Sequence, residues 1–153
     1  MKTLFQTYDS WSSLVLRVML GIVMFPHGAQ KLLGWFGGFG FAGTMGFFTE
    51  QMHIPAVLAF LVILAESIGA VGLVVGFLSR VAAFGVACVM VGAIWLVHWP
   101  NGFFMNWSGK QAGEGFEYHL LVIAISLALM IAGSGKWSVD RIIARRINTV
   151  KNC

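Results

Sequence analysis

The sequence predicts an all-α integral membrane protein, built as a four-transmembrane-helix bundle with a short interfacial helix in the first outer loop. Three observations support this fold class. Of the 153 residues, 58% are hydrophobic and only 10% are charged, whereas about a quarter of an ordinary soluble domain is charged. Four apolar stretches approach the length that crosses the hydrocarbon core of a bilayer. Nineteen glycines in so apolar a chain favour close helix packing in lipid.

The four apolar stretches define the predicted spans, which run approximately over residues 11–33, 54–78, 81–99 and 116–132. Pro55 suits the first turn of the second helix. The short segment 76–80 makes the second and third spans an antiparallel hairpin, and the fourth span is the shortest. We therefore treat residues 1–153 as one membrane domain that ends in a basic tail over 136–153.

The first stretch has an alternative interpretation as a signal peptide that follows Lys2. Arg17 interrupts the apolar run, and three more spans follow it. Both features disfavour a cleaved signal, which has a short uninterrupted apolar region. We therefore count this stretch as the first span.

The distribution of basic residues predicts the orientation in the membrane. Lys2, Arg80 and the tail lie on one side of the predicted bundle, and only Lys110 lies in a loop on the other side. Cytoplasmic loops are enriched in Lys and Arg, so both termini are expected to face the cytoplasm, with the tail toward lipid. The scattered cations form no aromatic-interleaved basic face, so no nucleic-acid partner is expected.

The loops at 34–53 and 100–115 then lie on the outer side. Within the first loop, Phe, Met, Phe and Met recur at helical spacing at positions 41, 45, 48 and 52. This spacing predicts a short helix that lies on or dips into the membrane interface.

Charged residues within the spans need a partner or a function, because inserting one costs at least about 2.5 kcal/mol. Counting about 1.5 Å per residue from the ends of the first two spans places Arg17 and Glu66 at similar depth. We therefore predict a structural ion pair between them, since either charge alone is costlier than the pair. We expect this pair to fix the register of the two helices; a catalytic role for the pair is the alternative.

Stripes of small residues predict the interior face of each span. On this basis Cys88 in the third span is expected to face the interior as a small packing residue. Glu117 in the fourth span is also expected to face the interior. His119 lies opposite Glu117 in helical phase and is expected to face the headgroups or a loop. The two cysteines, Cys88 and Cys153, form no CxxC motif and no plausible pair, so no disulfide or redox dithiol is expected.

Titratable residues toward the outer half of the bundle form the predicted ligand-binding site. Such groups around an aromatic wall suit proton handling or binding of a quinone headgroup. A single His at an interface is also a common polar anchor, which remains the alternative. His27, His98 and Glu117 could supply three metal ligands, but no HxxxH or ExxH spacing supports these three residues as a metal site. No nucleotide fingerprint or serine-nucleophile motif is present. Glu117 is the central candidate, and His27, Lys31, His98, Trp99 and Asn106 are expected near it.

Several motifs in order along the chain resemble those of the DoxX family of small bacterial membrane proteins. They are Arg17-x-x-x-Gly21 and His27-Gly28-x-x-Lys31, then Glu66 with the turn Gly76–Arg80, His98-Trp99-Pro100-Asn101, 115–118 and 133–140. The resemblance implies a four-helix bundle in the bacterial inner membrane. By this resemblance, the residues carried into a ligand-binding site are His27, Lys31, Glu66, His98 and Glu117. The resemblance also links the family to a thiosulfate:quinone oxidoreductase subunit and to complexes that handle thiol or oxidative stress.

The sequence therefore leaves three functional hypotheses. The first is a membrane subunit that associates with a soluble or membrane redox partner and engages quinone or a related lipophilic molecule. The second is a small carrier or channel subunit, which would need homo-oligomerisation because four helices enclose little volume. The third is a non-catalytic assembly protein. The chain carries no redox cofactor motif, so catalysis by this chain alone is not expected, and quinone enters as a bound ligand.

Overall fold

The computed structural model describes residues 5–151, so Lys2 and Cys153 lie outside the described residues. The described chain forms six α-helices and no strand, which confirms the all-α fold class. The helices are α1 (Trp11–Leu33), α2 (Gly40–Gly46), α3 (Ala56–Val75), α4 (Ser79–Ala93), α5 (Glu117–Ala132) and α6 (Val139–Lys151).

Irregular helical turns extend several of these helices. A 3-10 turn at Trp35–Gly37 follows α1, and a π-helical segment at Phe47–Gln51 continues α2. A π-helical segment at Ile94–His98 and a 3-10 turn at Trp99–Asn101 continue α4. The helix predicted within loop 34–53 is therefore present.

Within residues 5–151, three helices are long and apolar enough to cross a membrane: Trp11–Leu33, Ala56–Val75 and the continuous stretch Ser79–Asn101. The first has the bounds that the sequence predicts. Helix α5 is apolar but has only 16 residues, which is about 24 Å of helix against a hydrocarbon core of about 30 Å. The length and apolar composition of these three helices indicate a membrane protein.

The helix ends follow from local sequence. The Ser10 hydroxyl accepts a hydrogen bond from Ser13 N and caps the start of α1. Gly34 and Gly76 end α1 and α3 in the left-handed conformation, with φ of 75° and 72°. Glycine suits this conformation because it has no Cβ. At Gly76 a Cβ would also meet Ser138 and the Arg17 guanidinium, so the tight hairpin into α4 requires glycine there.

The long helices pack in the order α1 on α3, α3 on α4 and α4 on α5, and α5 also contacts α1. Glycines allow α1 to approach α3 closely. A Cβ at Gly28 would overlap the backbone of Glu66, and one at Gly21 would press on Val74. The core between the helices is apolar; it includes Leu20, Met24, Leu73, Val86, Met90, Val122 and Leu129.

The buried faces of α4 and α5 differ from those that small residues predict. Helix α4 buries Ala83, Val86 and Met90, while Cys88 is exposed. Cys88 lines an apolar surface groove between α4 and α5. The prediction that Cys88 packs in the interior is wrong, because larger apolar side chains one step away in helical phase fill the core instead.

The assembly has two ends, which are named here by the segments that they carry. At the terminal end, α1 begins, α3 and α5 end, and α6 packs across the α3–α4 hairpin through a hydrogen bond from Asp140 N to Gly76 O. At the loop end lie the segments 34–55 and 102–116.

Candidate functional site at the loop end

Polar side chains from α1, α3, α5 and the extension of α4 lie near one another in the loop-end half of the molecule. Ion-pair, ring and electrostatic interactions connect them. We call this group the loop-end cluster; it consists of His27, Lys31, Glu66, His98, Tyr118 and His119.

An ion pair between α1 and α3 forms the centre of the cluster. Lys31 Nζ lies 2.5 Å from Glu66 Oε2, and the Glu66 side chain is only 6% exposed. Gly28 makes this geometry possible, because its missing Cβ lets α1 lie directly on the backbone of Glu66. The Oε2 atom is buried and has no hydrogen bond of good geometry despite its ion pair. The charge is therefore compensated, but the oxygen retains capacity to accept a hydrogen bond.

His27 lies at the edge of the cluster. It is exposed on the surface of α1, and the charges of Lys31 and Glu66 both act on its imidazole. His27 is thus the most exposed member of the cluster.

Two histidines from different helices form the opposite side of the cluster. The rings of His98 and His119 have centroids 4.1 Å apart. His98 Nδ1 lies 2.8 Å from the carbonyl oxygen of Glu114, and because a carbonyl can only accept, Nδ1 is the donor in this bond. This bond orients the His98 ring and uses its Nδ1 atom, not its Nε2 atom.

Tyr118 and His119 supply buried polar atoms that have no partner within the described chain. His119 is 7% exposed, and its Nδ1 is unpartnered. The Tyr118 hydroxyl is also buried and unpartnered, and it lies within electrostatic range of Glu66. Leaving such a group without a hydrogen bond costs about 1–3 kcal/mol. Buried orphans of this kind need an explanation, and a ligand or ordered water is one.

Glu117 does not join the cluster, contrary to the sequence-based expectation. Its Oε1 accepts hydrogen bonds from Met105 N at 3.1 Å and Trp107 Nε1 at 3.2 Å. These bonds fold the segment 102–116 over the start of α5. Glu117 sits in the first turn of α5, so its carboxylate points into the loop rather than between the helices.

Arg17 does not meet Glu66 either, so the predicted ion pair is wrong. The Arg17 guanidinium donates to five backbone carbonyls at the terminal end, those of Leu73, Val74, Ser134, Lys136 and Trp137. Leu73 is seven residues beyond Glu66, about 10 Å along α3. The depth estimate failed because the long Arg side chain extends toward the end of α3, while Lys31 reaches Glu66 from the other direction.

Sequence reasoning missed His119 and Tyr118. The buried stripe of α5 comprises His119, Val122, Ser126 and Leu129. His119 and Ser126 are seven residues apart and share a helical phase. These two polar residues on one face of an otherwise apolar helix could have identified the buried face of α5. They indicate that face better than the small residues that align with Glu117.

A metal centre has no support among residues 5–151, since no group of three His, Cys, Asp or Glu side chains there has suitable spacing. The functional groups of the loop-end cluster are an ammonium donor, a carboxylate, a phenol and imidazoles. Together they can hold a neutral molecule that has both hydrogen-bond acceptors and donors, and they can take up or release protons.

Comparison with known proteins agrees with the motifs. The DoxX family profile matches residues 12–99. The chain is 32% identical over 117 residues to the Bacillus subtilis (strain 168) protein named "Putative oxidoreductase CatD", covering 76% of this chain and 77% of that one. It is 29% identical over 133 residues to "Inner membrane protein YqjF" of Escherichia coli (strain K12), covering 87% and 92%. No solved structure matches significantly.

Proposed function

The chain belongs to the DoxX family of membrane proteins, and on that premise we propose that it is a subunit of a membrane redox complex that binds a quinone or a related lipophilic molecule at the loop-end cluster. The name of one relative, an oxidoreductase, is consistent with this class of function. In this proposal the chain binds the quinone, and a partner protein supplies the electrons that reduce it.

The observation that carries the proposal is the set of buried polar atoms in the loop-end cluster that have no hydrogen bond within the described residues; one of them, Glu66 Oε2, is ion-paired with Lys31. Within the described residues, the buried side-chain atoms without a hydrogen bond are Glu66 Oε2, Tyr118 OH, His119 Nδ1 and Ser126 Oγ. The first three belong to the loop-end cluster. A purely structural cluster gains stability by satisfying such atoms, so their persistence supports a site that a ligand completes.

A quinone matches the chemistry of these atoms. Its carbonyl oxygens accept hydrogen bonds from the Lys31 ammonium or the Tyr118 hydroxyl, and the hydroxyls of its reduced form donate to the Glu66 carboxylate or to His119 Nδ1. Conversion of quinone to hydroquinone consumes two electrons, which the redox partner supplies, and two protons. The cluster holds the oxygens and exchanges the protons.

The membrane arrangement that we propose follows from charge and length. Helices α1, α3, α4 and the shorter α5 form a four-span bundle, and α2 lies at the membrane interface. The basic residues at the terminal end support an orientation with both termini in the cytoplasm of a bacterial inner membrane, because cytoplasmic segments are enriched in Lys and Arg. The exposed His27 on α1 then gives a lipophilic ligand lateral access from the bilayer.

The binding test uses purified protein in lipid nanodiscs, titrated with menadione and followed by calorimetry. Tyr118→Phe removes one hydroxyl from the cluster, and we expect it to weaken menadione binding roughly five- to tenfold, as for the loss of one hydrogen bond. Ser126→Ala is the matched control, because it removes another buried unpartnered hydroxyl from the same helix, about two turns away. Its affinity should equal that of the wild type.

Two outcomes would contradict the proposal. Absence of saturable menadione binding by the wild-type protein would remove quinone as the ligand. Equal losses in Tyr118→Phe and Ser126→Ala would show that α5 acts on binding as a whole, not through the cluster.

The redox part of the proposal has its own test. The protein is isolated from native membranes in mild detergent together with the partner proteins that remain bound to it. Menadione reduction is then followed with NADH as the electron source. We expect reduction that Glu66→Gln lowers at least tenfold without loss of the retained partner. Saturable binding with no reduction in any preparation would instead favour an assembly or carrier role.

A further inference from the structure

Helix α6 is fixed against the terminal end of the molecule. The Asp140 carboxylate accepts hydrogen bonds from Leu78 N at 2.7 Å and Ser79 N at 3.0 Å. Arg141 donates two hydrogen bonds to Asp9, at 2.7 and 2.8 Å, and so ties α6 to the segment before α1. The first turn of α6 therefore lies at the level where the long helices end.

The outward face of α6 combines apolar and cationic side chains. Val139 and Ile142 are 36% and 57% exposed, and Arg146 is exposed on the same face, at spacings of three and four residues. Trp137, just before the helix, is 77% exposed. An exposed face of this composition is typical of helices that lie in the membrane interface.

Tryptophans mark the depth of this face. Trp11 and Trp137 meet edge to face with ring centroids 5.2 Å apart, and Lys136 Nζ lies 4.5 Å from the centre of the Trp11 ring. Both rings are more than half exposed. Exposed tryptophans at the ends of apolar helices lie at the headgroup level of a bilayer.

Charge differs sharply between the two ends. The described cations of the terminal end are Arg17, Arg80, Lys136, Arg141, Arg145 and Arg146, against the carboxylates Asp9 and Asp140. The loop end has Lys31 and Lys110 against Glu50, Glu66, Glu114 and Glu117. The terminal end thus attracts anions, and the loop end does not.

We propose that the outward face of α6 binds anionic phospholipid. The lipid phosphate contacts Arg146, and the glycerol and upper acyl carbons contact Val139, Ile142 and the Trp137 ring. The mixture of apolar and cationic groups at headgroup level favours a lipid over an acidic protein, which would leave Ile142 and Trp137 without an apolar environment. This surface lies at the opposite end from the quinone site, so either proposal can fail alone.

The test is native mass spectrometry of protein released from micelles that contain equal amounts of phosphatidylglycerol and phosphatidylcholine. The wild-type protein should retain phosphatidylglycerol preferentially. Arg146→Gln should reduce that preference about fivefold, Arg146→Lys should keep most of it, and Ile142→Ser should reduce retention of both lipids. Lys110→Gln is the matched control, because it removes an exposed cation from the loop end, and it should change nothing.

Equal retention of the two lipids by the wild-type protein would overturn the proposal. So would equal results for Arg146→Gln and Lys110→Gln. If polyglutamate displaced the lipid and bound Ile142→Ser as tightly as the wild type, the face would belong to an acidic protein partner and not to a phospholipid.

Discussion

At the terminal end the buried Arg17 guanidinium donates to five backbone carbonyls, whereas at the loop end Tyr118 OH and His119 Nδ1 are buried with no hydrogen-bond partner in the part of the chain that the structure describes. Both ends bring polar side chains from several helices into an apolar environment. The terminal end satisfies the Arg17 donors from within the chain, whereas the loop end pairs Lys31 with Glu66 but gives Tyr118 OH and His119 Nδ1 no hydrogen bond within the described residues. The difference is what distinguishes a structural polar network from a candidate binding site, since an unsatisfied buried group lowers stability unless something else completes it.

The carbonyls at the terminal end also explain why an arginine is used there. Leu73 and Val74 lie in the last turn of α3, where the helix supplies too few N–H donors for its final carbonyls; the Leu73 carbonyl also accepts a hydrogen bond from the C-cap Gly76 N at 3.2 Å. The planar guanidinium has five N–H donors, and it joins these carbonyls to those of the segment 134–137. Arg17 thus acts as a cap for α3 and as the link between α1, α3 and the chain after α5.

The largest expected effect is that of Arg17→Met, which keeps most of the side-chain volume but removes every donor. Five carbonyls lose their charged partner, and we expect a loss of about 3–5 kcal/mol in the free energy of unfolding. Thermal unfolding in nanodiscs, followed by circular dichroism, measures it. Arg17→Lys should recover only part of the loss, because one ammonium has three donors. An unchanged melting temperature for Arg17→Met would contradict the capping role.

The second prediction concerns the ion pair of the loop end. Lys31→Met leaves the buried Glu66 carboxylate uncompensated, and we expect a destabilisation of about 2–3 kcal/mol, less than for a fully buried pair because Lys31 is 23% exposed. Adding Glu66→Gln to Lys31→Met should restore most of this stability, since no lone charge then remains buried. If the double variant were as unstable as the sum of the single variants, the two residues would not be coupled.

A smaller effect is expected from Asp140→Asn at the terminal end. The carboxylate accepts from two backbone N–H groups at the start of α4, and its negative charge interacts favourably with the helix dipole there. Losing it should cost about 1–2 kcal/mol in chemical or thermal unfolding. Asp9→Asn is the control, because Asp9 is 56% exposed and its pairing with Arg141 should contribute less than about 1 kcal/mol. Equal losses for the two variants would argue against the capping interaction.

The sequence allowed the helices to be predicted more fully than the site. Apolar length alone located α1 at its observed bounds, and helical spacing located the helix at 40–51. Three candidates, His27, Lys31 and Glu66, lie together because a span of about 30 Å leaves few places for charged groups. His98 also joins them, through His119.

The errors came from helix rotation and side-chain reach. Small residues suggested the buried faces of α4 and α5, but the packing of Val86, Met90, Val122 and Leu129 decides them. A rotation of α5 about its axis decides whether Glu117 or His119 lies on the buried face, and a single sequence does not determine that rotation. The Arg17 error was one of reach, because the backbone position gives the depth of Cα and not that of the guanidinium.

The smallest effects compare the two ends most directly, because each removes one hydroxyl. At the terminal end, Ser134 Oγ donates to Asp140 and lies 2.9 Å from Ser79 Oγ, so Ser134→Ala should lower the free energy of unfolding by about 1 kcal/mol. At the loop end, Tyr118→Phe removes a hydroxyl that has no hydrogen-bond partner among residues 5–151. Without ligand, its stability should be unchanged or higher by up to about 1 kcal/mol, while added menadione should stabilise the wild type more than the variant. A loss of stability in ligand-free Tyr118→Phe equal to that of Ser134→Ala would mean that the loop-end hydroxyl is satisfied within the protein, and the contrast between the ends would disappear.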